Sequence, residues 1–391
     1  MHLLFLATLL SLVISGRSEV RLLLAVWRHG DRAPEQLPYP GDPYNETFWP
    51  RGWNQLTNLG IEQASKLGNF LRRRYKDSVL KTFHRSKVHI RASDADRAIE
   101  TAQAVTAAMF PPEGAQVWTH GKLRHWQPIP IRTNGGKPDP MLRPSQVRCP
   151  AYEKLVLAQR KILQEQTDEK FKVPLSIVTE RTGHYSRYSN IKDVYNVILE
   201  HYNGLPLPSW AYEKVGNATL LEHVSEVRRI SRLQLFDSIE KAKFMGGYLI
   251  NNWAEHMVSV SNGTSKKQAV LYSSHDGTLS ALLYGLNISN DLLIPYTACA
   301  MIELHQDETV RIFYRNTTTE DPLAVHQLIV PGCTARCPLP TFLQLIEHIR
   351  IRTLDELHSH CASGDASTSS LRPAVLPIFI LSVIVTSLLF L

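Results

Sequence analysis

The chain has 391 residues, 43% of them hydrophobic and 20% charged, with a formal net charge of +7. That length gives ample core for one large globular domain or for two of ordinary size. The positive charge is modest and spread along the chain, which argues against a nucleic-acid-binding stripe; the one basic run, Arg72–Arg74, ends an amphipathic helix pattern and predicts a solvated helix end.

The first residues predict a secretory signal peptide. An apolar run from Leu3 to Ile14 is followed by small residues, so we assign residues 1–18 to the signal. Sequons of the form Asn-x-Ser/Thr support passage through the secretory pathway and are candidate glycosylation sites. They lie at Asn45, Asn217, Asn262, Asn287 and Asn316.

Three segments share one pattern, in which an apolar strand is followed by a short polar burst. The strands are predicted at Val20–Trp27, Val88–Ala92 and Ala269–Ser274. The bursts are Arg28–Arg32, Ser93–Arg97 and His275–Thr278. After the second and third bursts, apolar residues recur with the spacing of one helix face.

Strands that alternate with helices predict an α/β fold, with a mainly parallel sheet and helices on both faces. Ligands bind such sheets outside the carboxyl ends of the strands, where all three bursts fall. We therefore expect one site to contain residues that are distant along the chain. They are Arg28, His29, Arg32, Arg97, His275 and Asp276.

Residues 126–150 are rich in proline and glycine and predict loop, whereas residues 151–257 carry largely helical patterns. We interpret the helical block as a smaller inserted lobe over the crevice. The predicted catalytic region is 19–361, with an α/β core at about 19–125 and 265–361 and the helical lobe at about 150–260.

Five cysteines leave one without a partner. Cys333 and Cys337 are close enough along the chain to form a disulfide across a tight loop. Cys149 and Cys361 are candidates for a disulfide that links the middle of the chain to its end. Cys299 is then expected to be a buried free thiol. No Cys/His spacing resembles a zinc site, so no metal is expected.

Residues 374–391 carry no charge and are just long enough to span a bilayer. They follow a spacer of small and polar residues at 362–373, and this pattern fits a glycolipid-anchor signal. An ordinary type I transmembrane helix is the alternative, and the sequence leaves both open. Either predicts membrane attachment through the C-terminus. The catalytic domain would then face the lumen or the outside, at the cell surface or in an endolysosomal compartment.

Three arginines at one point require a dense anion, and phosphate has enough oxygens to occupy their donors. Imidazole is a nucleophile near neutral or mildly acidic pH, so His29 is a candidate to take the phosphoryl group. Asp276 is a candidate general acid that holds a proton in mildly acidic medium and gives it to the leaving group.

Each residue also has a structural reading. His29 fits an ordinary histidine at a strand end, and Arg97 fits a first-turn residue that pairs with Asp94 or Asp96. Asp276 precedes a helical run and is a fair N-cap. These structural explanations are less convincing together than singly, because independent coincidences would have to place all three residues at one edge of the sheet.

Specific stretches resemble the histidine acid phosphatases, and within them the prostatic, lysosomal and testicular membrane type. They are "RHGDRAP" from Arg28, "SDADRAIETAQA" from Ser93, "SSHDGTLSALL" from Ser273, "LPLPSWA" from Leu205 and "PGCTARCPL" from Pro331. The resemblance extends from about Val20 to Cys361.

The resemblance implies an acid phosphatase that works through a phosphohistidine intermediate. His29 would be the nucleophile and Asp276 the proton donor. Arg28, Arg32, Arg97 and His275 would bind phosphate. It also implies a phosphoglycerate-mutase-like α/β domain with a smaller helical one, no metal or other cofactor, and frequent dimers. Small-molecule or peptide phosphomonoesters would be the substrates. The family partner of Cys299 is replaced around Leu199, so one disulfide should be missing.

Other functions share parts of this pattern. An inositol-polyphosphate phosphatase of phytase type would need a strongly basic outer cleft, and the helical block shows no clear cationic run. A non-catalytic cell-surface binding protein would usually have lost a reacting residue, whereas His29 and Asp276 are both present. Phosphoglycerate-mutase-type transfer also uses Arg-His-Gly, but the signal peptide argues against a glycolytic role.

Overall fold

The computed structural model describes residues 19–118 and 125–362. The predicted signal peptide at 1–18, most of the spacer at 362–373 and the apolar tail at 374–391 lie outside the described residues. Among the residues described, no helix is both long enough and apolar enough to cross a membrane.

In the described ranges, strands and helices alternate at first, helices predominate over residues 150–261, and strands resume from residue 269. The strands are β1 (Val20–Arg28), β2 (Val88–Ala92), β3 (Lys214–Val215), β4 (Ala218–Thr219), β5 (Ala269–Ser274), β6 (Cys299–His305), β7 (Thr309–Arg315), β8 (His326–Leu328) and β9 (Cys337–Pro338). The helices are α1 (Asn58–Tyr75), α2 (Asp96–Met109), α3 (Pro150–Lys170), α4 (Lys172–Thr182), α5 (Ile191–Tyr195), α6 (Val197–Tyr202), α7 (Leu220–Leu233), α8 (Ile239–Ser261), α9 (Asp276–Gly285), α10 (Leu339–Ile346) and α11 (Leu354–Ala362).

One mixed sheet organises the fold, with strand order β2-β5-β1-β6-β7-β8 and β9 paired to β7. Strands β2, β5 and β1 are parallel, and β5 lies between the other two. Strands β6 to β9 extend this parallel half with antiparallel pairs. The α/β class is confirmed; the antiparallel extension is a feature that the sequence analysis did not foresee.

Both faces of the sheet are covered, which explains the continuous apolar run of β1. Leu22, Leu24 and Val26 pack in one core with residues of α8, α9 and α10. Leu23, Ala25 and Trp27 point to the opposite face and pack in a second core with α1 and α2. Residues 22–27 of this strand are therefore all hydrophobic, because neither face meets water there.

The helical block has a core of its own, built around Leu175 and Val178 of α4, Val194 of α5, and Val224 and Val227 of α7. The long helix α8, which the sequence analysis grouped with the lobe, packs on the sheet through residues such as Trp253. Helix α7 thus ends in the lobe, while α8 leads the chain back to the sheet.

Two disulfides close the fold. Cys149, directly before α3, bonds to Cys361 in α11, and Cys333 bonds to Cys337. Cys299 is a buried free thiol at the start of β6.

Candidate active site

The three polar bursts meet at the carboxyl edge of the parallel strands. Arg28 of β1 is in register with Ser274 of β5, and Ala92 of β2 with Ser273. Beyond the strands, the backbone N–H of His29 donates to the carbonyl of Ser274 over 2.9 Å. This register brings His29 and His275 to a ring-centroid distance of 5.4 Å, although they are far apart along the chain.

The loop after β1 is fixed from several sides. The N–H of Gly30 donates to Oγ1 of Thr101 over 3.0 Å. The buried carboxylate of Asp31 accepts from Oγ1 of Thr57 over 2.7 Å and from Nδ2 of Asn203 over 2.8 Å. A Cβ on Gly30 would lie 2.3 Å from the carbonyl oxygen of Gly60 in α1, so only glycine permits this close approach.

The hydrogen bonds of His29 define its protonation. Its Nδ1 lies 2.8 Å from the carbonyl oxygen of Gly30, which can only accept, so Nδ1 carries the proton. Its Nε2 accepts from Nε–H of Arg97 over 3.2 Å, so Nε2 carries a lone pair. The side chain is 4% exposed. His29 is therefore a neutral imidazole whose unprotonated nitrogen faces a guanidinium.

Burial and positive charge keep both histidines neutral. Burial, followed by the charge of Arg97, lowers the pKa of His29 well below its ordinary value. The same causes lower the pKa of His275 to about 3. His275 lies 2.8 Å from Oγ of Ser93, the residue that follows β2 by one position. At mildly acidic pH the site thus keeps an imidazole lone pair available, where an exposed histidine would be protonated.

Three of the predicted arginines line the cavity that contains His29. Arg97 comes from the first turn of α2 and is directed to His29; among the described contacts it has no ion pair with Asp94 or Asp96. Arg28 stacks over the ring of Tyr296 at 3.7 Å and donates to the carbonyl of Ile294 over 2.6 Å. Arg32 and His275 line the same cavity. Burial and the charges of Arg32 and Arg143 lower the pKa of Arg97 to about 10, a sign of like charges held together.

Asp276 lies at the start of α9 and has a partner that the sequence does not predict. It is the first residue of α9 rather than its N-cap, which is His275. Its carboxylate accepts a paired hydrogen bond from Arg232 of α7, from Nε over 2.8 Å and from Nη2 over 2.9 Å. Burial alone would raise the pKa of Asp276, but the charges of Arg232 and Arg28 outweigh it and hold the pKa well below its ordinary value. Without substrate, these contacts favour the ionised form of the Asp276 carboxyl.

The site opens into a cavity of about 620 Å³ between the sheet edge and the helical block. The cavity has basic residues that the sequence analysis missed, because they come from separate elements. They are Arg143, Arg160, Lys192, Arg228 and Arg232. The cavity is therefore basic although the helical block shows no clear cationic run along the sequence. The spacing of Arg228 and Arg232, which places both on one side of a helix, was the available signal.

The sequons are distributed over the surface. Asn45, Asn217, Asn262 and Asn287 are exposed. Asn316 is half-buried and lines a second cavity, which also includes Arg28 and Asp276. A glycan on Asn316 would therefore lie at the cavity that Arg28 and Asp276 also line.

Known proteins are similar to this chain in sequence. A family model described as histidine phosphatase superfamily (branch 2) matches residues 19–315. Prostatic acid phosphatase of Bos taurus is 34% identical over 339 residues, which cover 84% of this chain and 84% of that protein. Lysosomal acid phosphatase of Xenopus laevis is 33% identical over 349 residues, which cover 86% of this chain and 78% of that protein.

Solved structures match at lower identity. A phytase from a Klebsiella species superposes with a TM-score of 0.66 at 15% identity, covering 85% of this chain and 96% of that one. The apo form of a Hafnia alvei phytase gives 0.63 at 17% identity, covering 85% and 97%. At such identities the match shows the fold alone.

We expect His29 and His275 to remain neutral across the mildly acidic range, because burial and the neighbouring guanidinium groups disfavour the imidazolium. Histidine nitrogen chemical shifts, recorded in phosphate-free buffer from about pH 4 to about pH 8, measure this directly. The variants His29→Asn and His275→Asn assign the two signals. A midpoint near 6.5 for either imidazole would contradict the described electrostatics.

Proposed function

The chain belongs to the histidine phosphatase superfamily (branch 2), and on that basis we propose that it is an acid phosphatase that hydrolyses phosphate monoesters. The reaction passes through a phosphohistidine on His29, within a catalytic region at 19–361. One observation carries the proposal: Nδ1 of His29 is bound to the carbonyl of Gly30, so Nε2 keeps its lone pair and faces the guanidinium of Arg97.

The phosphate group binds among Arg28, Arg32, Arg97 and His275. Guanidinium groups supply paired, charge-assisted donors for its oxygens, and the buried setting strengthens each contact. The N–H that Arg97 directs to His29 is then directed to a phosphate oxygen. Substrate binding also relieves the repulsion among the arginines, which gives the site its preference for a dianion.

In the first step, the lone pair on Nε2 of His29 forms a bond to phosphorus while the bond from phosphorus to the ester oxygen breaks. The leaving oxygen takes a proton from Asp276. In the second step, water attacks phosphorus and the P–N bond breaks. Asp276 takes a proton from that water, and phosphate leaves. Atoms and charges balance over the cycle, and Asp276 returns to its protonated form.

The ion pair of Asp276 with Arg232 makes its protonation depend on substrate. A phosphate dianion beside Arg28 adds negative charge near the carboxylate and raises its pKa, since a nearby like charge disfavours ionisation. Acidic medium then supplies the proton. This order of substrate binding and protonation favours activity on the acid side of neutrality.

The sequence also supports a place in the secretory pathway, with the catalytic region in the lumen or outside the cell. Attachment through residues 374–391 is part of the proposal, as a glycolipid anchor or a spanning helix. Dimers are expected by analogy with the family.

His29→Ala removes the nucleophile, so we expect kcat on an aryl phosphate to fall by at least about a thousandfold. Rapid acid-free quenching of the wild-type protein with labelled substrate should trap an acid-labile phosphoenzyme that the variant lacks. His348→Ala, at an exposed histidine outside the cavity, is the matched control. Robust turnover by His29→Ala would end the assignment of the nucleophile.

Asp276→Ala removes the proton donor, so its effect should grow with the basicity of the leaving group. We expect a small loss of kcat with nitrophenyl phosphate and a loss of about a hundredfold or more with an alkyl phosphate. The slope of log kcat against leaving-group pKa measures the difference. An equal loss for all leaving groups would show that Asp276 only supports binding or structure.

Membrane attachment is tested on intact cells that express the full chain. A phosphatidylinositol-specific lipase should release the phosphatase activity if the anchor is a glycolipid. Activity that stays with the cells and enters the detergent phase on extraction indicates a spanning helix. Activity recovered in the aqueous fraction without lipase or detergent would contradict attachment.

A further inference from the structure

The cavity over the site carries more positive charge than one phosphate group requires. Its lining includes eight cationic side chains and three carboxylates, an excess of five positive charges. A phosphate dianion neutralises only part of this excess. Buried like charges are costly unless something anionic lies among them. The remaining positive charge therefore favours the binding of a second anionic group in the cavity.

Two of these cations stand together on the face of α7 that lines the cavity. Arg228 and Arg232 are one helical turn apart, so their side chains are neighbours. Among the described contacts, no carboxylate lies within ion-pair distance of Arg228, and burial with the charge of Arg232 lowers its pKa to about 10. Arg232 uses Nε and Nη2 on Asp276, and its Nη1 has no such partner among the residues described.

The neighbouring arginine on the same helix shows the contrast. Arg229 forms a paired contact with Glu226 at 2.7 and 2.8 Å and also donates to the carbonyl of Asp291 over 2.9 Å. The cation that lies outside the cavity is thus compensated, whereas the pair that lines the cavity retains free donors. Gly277 contributes to this arrangement, because a Cβ there would lie 2.8 Å from Nη2 of Arg232.

We infer that Arg228 and Arg232 form a second anion subsite, which binds a phosphate group carried by the leaving group of the substrate. The preferred substrates are then organic bisphosphates rather than esters of uncharged alcohols. The position of this subsite follows from Asp276. This carboxylate gives its proton to the leaving oxygen, and Arg232 is hydrogen-bonded to the same carboxylate. The subsite therefore lies on the leaving-group side of the phosphate that reacts. The inference rests on the proposed function and deepens it.

A second phosphate at this subsite also acts on the proton donor. The charged or titratable groups that face Asp276 are Arg28 from β1, Tyr195 from α5, Arg228 and Arg232 from α7, and the adjacent His275. An anion beside the two α7 arginines offsets their charge and favours protonation of Asp276. Bisphosphates should therefore remain substrates to higher pH than monophosphates.

The test compares a matched pair of substrates, fructose 6-phosphate and fructose 1,6-bisphosphate. We expect kcat/KM of the wild-type protein to be about tenfold or more higher for the bisphosphate, because its second phosphate adds charge-assisted hydrogen bonds to Arg228 and Arg232. The ratio of the two kcat/KM values should fall about tenfold in Arg228→Gln and in Arg232→Gln. Arg229→Gln is the control and should keep the wild-type ratio.

Equal kcat/KM values for the two sugars in the wild-type protein would overturn the inference, and this comparison needs no variant. A ratio unchanged in both Arg228→Gln and Arg232→Gln would overturn it as well. Thermal unfolding of each variant, with Arg228→Lys as a charge-preserving form, separates loss of the subsite from loss of folding. Failure to hydrolyse either sugar phosphate or an aryl phosphate would instead contradict the proposed function.

Discussion

One hydrogen bond sets the chemistry of this protein: the bond from Nδ1–H of His29 to the carbonyl of Gly30. It fixes the tautomer, and so it leaves the lone pair on the nitrogen that faces the arginines. Burial and the surrounding positive charge then keep the imidazole neutral where an ordinary histidine would take a proton. An imidazole that stays neutral in acidic medium suits the nucleophilic role that we propose for His29.

The same positive charge has a structural cost that the fold must offset. Arginines held together at a buried site repel one another, and their backbone supports have to be rigid. The close approach of Gly30 to Gly60, together with the buried Asp31 carboxylate bound by Thr57 and Asn203, supplies that rigidity. Substitutions at these supports would loosen the site without touching any group that meets the substrate.

Much of this arrangement can be predicted from the sequence, because strand period and polar bursts are local signals. The run from Val20 and the bursts after β1, β2 and β5 were sufficient to predict parallel strands with one polar edge. What the sequence could not supply depends on how distant elements pack. The contact of Arg232 with Asp276 joins α7 to α9, and Tyr296 meets Arg28 from a loop before β6. Neither contact leaves a periodic signal.

The basic character of the cavity is a second feature that the sequence alone does not show. The helical block shows no clear cationic run along the sequence, whereas the cavity collects single cations from separate helices and loops. Charge in a folded cavity is a property of the tertiary structure, and composition along one segment does not report it. The protonation of Asp276 likewise depends on neighbours that only folding provides, above all on Arg232.

The most direct test of the central claim is a crystal structure of the protein with vanadate, which mimics a phosphoryl group in transfer. The account predicts vanadium bonded to Nε2 of His29, with Arg28, Arg32 and Arg97 on its oxygens and Asp276 next to the apical oxygen opposite the histidine. Vanadate bound to another residue, or to the arginines with Nε2 of His29 turned away, would contradict it.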